Sequence, residues 1–198
     1  YTLTCITSGT KNIGIGSSAG KAFTTGEANI AIGDQAVSTE GGATGDRNVA
    51  IGAQAAQSLT SAEHTIAIGG QAGVCITTGS NNVVIGQATS EKLTTGGHNT
   101  NLGTSSAKCM TTGSCNTSIG SYALCNITTG NFNTGLGRGA GCTMTTGSNN
   151  MLLGNGAAPS SVTVSNEITL GNSSITSLRA QVQSISSLSD KRDKANIK

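Results

Sequence analysis

One glycine recurs at a fixed interval along this chain, and no other feature restricts the possible folds so severely. The glycine closing each Ile-Gly or Leu-Gly pair falls at Gly16, Gly33, Gly52, Gly69, Gly86, Gly103, Gly120, Gly137, Gly154 and Gly171. Every interval is 17 residues except the one between Gly33 and Gly52, which is 19. Ten copies in register exclude chance, and a short fixed period marks a unit that stacks on copies of itself. The two extra residues belong to "STEGGATGD" (38–46), whose turn-forming composition predicts a surface bulge.

Counting each copy from its glycine as position zero turns the sequence into columns. Position 3 is small, as in Ala19, Ala36, Ala55 and Ala72. Position 7 is mostly apolar (Phe23, Leu59, Ile76, Leu93, Met110), with Glu40 and Ser161 breaking the column. Positions 14 and 16 are β-branched or leucine in most copies, for example Ile30 with Ile32 and Ile66 with Ile68. Residues two apart share one face of a strand, and the apolarity of this pair predicts that its face points inward. Before the strand stand a Thr-Thr-Gly or Thr-Ser-Gly turn and an asparagine column: Asn12, Asn29, Asn48, Asn82, Asn99, Asn116, Asn133 and Asn150. Glycine reaches positive φ and asparagine bonds its own backbone, so these columns read as turn chemistry rather than as a ligand site.

A helical repeat does not fit, because 29 glycines and short β-branched runs leave no 3.6-residue stripe of useful length. What fits is an all-β chain: a parallel β-solenoid, or β-roll, of about ten 17-residue coils over residues 1–174. At about 4.8 Å per coil it makes a rod on the order of 50 Å long. Only 2% of the residues are aromatic and Trp is absent, so each coil buries few side chains. A core that thin offsets little chain entropy, which predicts a homo-oligomer.

Charge excludes several partners. Residues 1–174 carry six Lys or Arg against seven Asp or Glu, and the formal +2 arises in the last 24 residues, with five basic and two acidic. There is no basic stripe with interleaved aromatics, so a nucleic-acid partner is not expected. No run approaches the 18 or so apolar residues of a membrane span. The chain starts at Tyr1, which reads as a segment of a longer protein.

The six cysteines do not form CxxC pairs. Cys5, Cys75 and Cys109 occupy position 6, and Cys125 and Cys142 position 5, the same corner in different coils. Small half-buried thiols are expected there, with a Cys125–Cys142 bridge as the alternative. His64 and His98 fall in turns away from the cysteines, so no metal or cofactor is expected. "GIGSSAG" and "GLGRGAG" look like phosphate loops, but their glycines are repeat columns and no long helix follows. Four Asp in all cannot supply a calcium-roll ladder.

Together these residues resemble a known group. "NIAIGDQA", "NVAIGAQA" and "TIAIGGQA" are similar to the head repeats of trimeric autotransporter adhesins and to related repeats in viral tail-fibre proteins, over residues 1 to about 171. The resemblance implies a parallel β-roll assembled as an elongated homotrimer. The tail "SLSDKRDKANIK" resembles the opening of the endosialidase-type intramolecular chaperone that ends phage and giant-virus fibres. By that resemblance Ser189 and Lys194 form a self-cleaving dyad cutting between Leu188 and Ser189, with residues 189–198 as the start of the chaperone. Residues 175–188 then form a connecting strand region, in which Leu178, Ala180 and Val182 alternate.

Three function classes follow. The first is a viral tail or surface fibre, assembled in the host cytoplasm and carried on the virion. Its trimeric shaft contacts other virion tail or fibre proteins and presents or forms a surface for a host receptor, a glycan or a surface protein. The second is a bacterial trimeric adhesin head. The third is an ice-binding solenoid, suggested by Thr pairs such as 77–78 and 94–95; adjacent threonines point to opposite faces, which leaves one outward column. None of the three is an enzyme beyond a single self-cleavage.

Overall fold

The computed structural model describes residues 2–179 of the 198-residue chain. Its regular elements are ten three-residue strands: β1 Ile13–Ile15, β2 Ile30–Ile32, β3 Val49–Ile51, β4 Ile66–Ile68, β5 Val83–Ile85, β6 Thr100–Leu102, β7 Thr117–Ile119, β8 Thr134–Leu136, β9 Met151–Leu153 and β10 Ile168–Leu170. They form one parallel sheet in sequence order, one strand per repeat, so the chain is an all-β solenoid. The register is that of the repeat, with Ile66, Ala67 and Ile68 opposite Val83, Val84 and Ile85. It survives the 19-residue interval, where Ile30 still faces Val49, so the insertion is absorbed outside the sheet.

Away from the sheet, backbone groups still bond from coil to coil. In the coil after Gly69, the Gly73 N–H reaches the Thr89 carbonyl at 2.9 Å and Thr77 N–H reaches Thr94 at 3.0 Å. The Asn81 N–H turns the other way, to the Glu63 carbonyl of the preceding coil at 2.9 Å. Coils this tightly stacked need glycine at position zero. Gly69 sits at φ 129°, and a Cβ there would come within 2.7 Å of the Gly86 carbonyl carbon of the next coil. An alanine would meet both backbone strain and a rigid neighbour.

The structure corrects the inward assignment. Position 15, between the two strong hydrophobics, faces the core: Ala31, Ala50, Ala67 and Val84 are fully buried, as are Asn101 and Ser118. Positions 14 and 16 face out, with Ile15 58%, Leu102 41% and Leu136 46% exposed and Ile68 half-buried. Positions 3, 4 and 7 complete the core through residues such as Ala72, Leu124, Ile76 and Met110. Both breaks in the position 7 column are explained. Glu40 is lifted out by the insertion, its side chain 91% exposed, while Val37 and Ala43 are buried instead. Ser161 belongs to the exposed last coil.

Positions 4 and 15 of a repeat face each other and share a fixed space. Gly14 faces Leu3, Val84 faces Gly73, Gly135 faces Leu124, and Leu152 faces Gly141, each large residue opposite a glycine. Where both are polar they bond, as in Asn101 Nδ2 to Ser90 Oγ at 2.8 Å. A Cβ on Gly135 would meet Leu124 Cγ at 2.8 Å. Leu124→Ala is therefore expected to cost about 2–4 kcal/mol through the cavity it leaves, and Gly135→Ala about 1–3 kcal/mol through overpacking. In the double variant the new methyl enters the new cavity, so denaturant melts should show a loss well below the sum.

Candidate interaction face

The outward side of the sheet is built from positions 14 and 16 of ten strands and runs the length of the rod. None of the thirty strand residues is charged. Ile, Val, Leu and Met dominate it, and Thr100, Thr117 and Thr134 supply its polar spots. Parallel sheets normally have both faces covered. Here the core covers one face and, among the described residues, nothing packs over the other, so Ile13 47%, Ile168 69% and Leu170 50% are exposed at its ends and positions 14 and 16 of β2 to β5 are half-buried.

Beside the face lies the asparagine column, and its chemistry differs from that of a local turn. Asn29, Asn82, Asn99 and Asn133 are fully buried, and Asn48, Asn116 and Asn150 nearly so. Each side chain bridges coils. Asn99 Nδ2 donates to Asn82 Oδ1 at 3.0 Å and to the Gly113 carbonyl at 2.9 Å, while Asn99 Oδ1 accepts from the Asn116 N–H at 2.9 Å. This is an amide ladder of the kind that stabilises stacked in-register strands. Thr65 interrupts it but keeps a bond to the Gly79 carbonyl at 3.3 Å. Glu167 ends it, its N–H donating to Asn150 Oδ1 at 2.9 Å. Hydrogen bonds from the Ser160 hydroxyl and N–H hold the exposed Glu167 carboxyl below the usual carboxylate range. That bracing is present above the ordinary carboxylate pKa and is lost as pH falls through the lowered one.

The threonine pairs divide their work. The first of each pair bonds along the rod, as Thr77 Oγ1 does to the Thr94 carbonyl at 3.3 Å and Thr94 Oγ1 to Thr111 at 3.1 Å. Only the second, such as Thr78 and Thr95, is exposed. The result is a single outward file.

All six cysteines are free, with Cys5 and Cys115 exposed and the other four half-buried. Cys109, Cys125 and Cys142 follow one another up a corner, where Cys109 N–H bonds the Cys125 carbonyl at 2.9 Å. Burial, with smaller contributions from the Cys142 and Cys109 thiols, pushes the Cys125 pKa up. The thiolate is the nucleophile, so iodoacetamide at neutral pH is expected to alkylate Cys5 and Cys115 well before Cys125, read by peptide mass spectrometry.

The chain thus brings the repeat glycines and asparagines together as structural columns. Ser189 and Lys194 lie outside the described residues. Of the 175–188 connection, residues 175–179 are described and hold no strand, with Ile175 58% and Leu178 74% exposed. Of the 38–46 stretch, Glu40 and Gly41 are exposed while Ala43 and Gly45 are buried, and Ser38, Thr39 and Glu40 border a polar cleft with the neighbouring coils. Among the described residues, no helix is long and apolar enough to cross a membrane, and no cluster of three or more His, Cys, Asp or Glu could hold a metal ion. No protein family, curated protein or solved structure matches this chain.

Proposed function

We propose that this chain is the rigid shaft of a viral tail or surface fibre, a homotrimer that presents or forms a surface for a host receptor. The observation that carries the reading is the uncharged apolar face, about 45 Å long at about 4.8 Å per strand. A contiguous apolar face of that length, partly open to water, is a liability rather than a normal surface. Two further copies of the same chain are the occupants that fit. Each copy carries an identical face, and three parallel copies turned inward about one axis cover all three faces in a closed ring. The adhesin-like "AIG" repeats support three as the number.

Sedimentation equilibrium at micromolar concentration tests the assembly, and three times the 19.5 kDa chain mass is the expected result. A well-folded monomer overturns it, and a face-to-face dimer overturns the closed ring. The fibre assignment itself also leans on the tail. A full-length product carrying the chaperone is expected to shorten at Leu188–Ser189: Lys194 takes the serine proton as Ser189 Oγ attacks the preceding carbonyl, the Ser189 amine leaves with that proton, and water hydrolyses the resulting Leu188 ester to a free carboxyl and the serine hydroxyl. Ser189→Ala and Lys194→Ala should both leave the precursor intact on denaturing electrophoresis. Cleavage at the same bond in Ser189→Ala removes the dyad.

A further inference from the structure

The rod departs from its own repeat at one interval, between Gly33 and Gly52, and there it gains a concavity. Residues 39–42 rise as a ridge over the preceding coil. A cleft of about 390 Å³ opens beside the ridge, lined by Ser18, Gln35, Ser38, Thr39, Gln57 and Ser58. Lys21 and Glu40 complete the lining, and Lys21 Nζ lies 3.3 Å from Glu40 Oε1. The volume falls in the lower range of small-molecule sites, about 300–1,000 Å³.

The lining selects a chemical class. No apolar side chain borders the cleft, so an apolar ligand would gain no burial. Its single cation is already paired with its single anion, so neither an acidic nor a basic ligand meets uncompensated charge. What remains is a set of hydroxyls and carboxamides. Gln57 Nε2 donates to Gln35 Oε1 at 2.9 Å, which fixes both amides. That bond leaves the Gln35 amide nitrogen, a donor, and the Gln57 amide oxygen, an acceptor, with no hydrogen bond among the described residues. A sugar hydroxyl is donor and acceptor at once and pairs with such a set without a charge of its own.

We infer that the cleft beside the 39–42 ridge binds a neutral saccharide. The inference rests on the fibre reading only for the source of the sugar, a glycan on the host surface. The Lys21–Glu40 pair holds the ridge over the sugar, and the crossed Gln35 and Gln57 amides read its hydroxyls. The other full-length coils keep the 17-residue period and carry no such ridge, so one saccharide site per chain is expected.

Saturation-transfer NMR on the 198-residue chain tests this with glucose, galactose, mannose and N-acetylglucosamine as neutral probes, sialic acid as the anionic probe and phenol as the apolar one. Transfer to at least one neutral sugar is expected, exceeding that to sialic acid and phenol. Gln57→Leu should weaken that sugar by about tenfold, the loss of about one directed hydrogen bond. Deleting Gly41 and Gly42, which restores the 17-residue interval, should abolish its binding while leaving the β spectrum intact. Ser58→Ala, a change the fold tolerates easily, provides an independent reduction. Absence of transfer to every neutral sugar, preference for sialic acid or phenol, or undiminished binding in both Gln57→Leu and Ser58→Ala overturns the inference. Sedimentation separates the two readings: a trimer that binds no sugar removes the cleft and keeps the shaft, whereas a sugar-binding monomer does the reverse.

Discussion

Ile68→Asp is expected to dissolve the assembly while leaving the coil intact. Ile68 is half-buried on the outward side of β4, with solvent still reaching it in the isolated chain. An aspartate there remains hydrated in a single protomer and costs that protomer little. In the proposed closed trimer three such carboxylates would meet near the axis, each stripped of water and none paired, a penalty of several kcal/mol per ion. Sedimentation should therefore show the variant as a monomer at concentrations where the wild type is expected to sediment as a trimer, with its β spectrum retained in the cold. Its neighbour supplies the contrast. Ala67 is fully buried in the core, so Ala67→Asp puts an unpaired charge inside the solenoid and should prevent folding altogether. Glu63→Lys, on an exposed turn, should change neither property. If Ile68→Asp stays trimeric, the outward face is not the contact.

That contrast also shows where sequence reading reached its limit. The period, the parallel β-solenoid and the glycine column are legible in the sequence, because each follows from local backbone requirements repeated ten times, whereas the reduction to a single three-residue strand per repeat is not. Nor is the strand's direction. Hydrophobicity marks what must leave water, and it does not say whether the cover is the chain's own core or another copy. Positions 14 and 16 are the more apolar pair and so read as inward, while position 15 reads as Ala, Val, Asn, Ser, Gly, Leu and Thr in different copies and looks unspecific. A signal was nevertheless present. Position 15 compensates position 4 of the same repeat in size, with Gly135 opposite Leu124 and Leu152 opposite Gly141. Two columns that trade volume across a shared space are core columns. The asparagines show a related limit: their residue type suits a turn, and Asn82 and Asn116 do bond local carbonyls, but only their stacking at one coil per step adds the ladder. Ser189 and Lys194 rest on a short motif alone.

The ladder yields the second large effect, this time within the folded chain. Asn99 is fully buried at the middle of the rod and serves three coils at once. Asn99→Ala removes the donor that satisfies the Gly113 carbonyl and the acceptor that satisfies the Asn116 N–H, and both backbone groups stay buried. Each orphaned group costs about 1–3 kcal/mol, so the substitution should destabilise the chain by about 2–6 kcal/mol, a large share of a total of about 5–15 kcal/mol. The molecule already holds the milder case. Thr65 occupies the same column, its N–H bonded to Asn48 Oδ1 at 3.0 Å and its hydroxyl to the Gly79 carbonyl at 3.3 Å. Asn99→Thr should likewise keep the Gly113 carbonyl satisfied and lose clearly less than Asn99→Ala. Denaturant unfolding of the two variants at one protein concentration gives the comparison. Equal losses would mean that the cost lies in removing a side chain of that size, and a loss under about 1 kcal/mol for Asn99→Ala would mean that water reaches the column and the ladder contributes little.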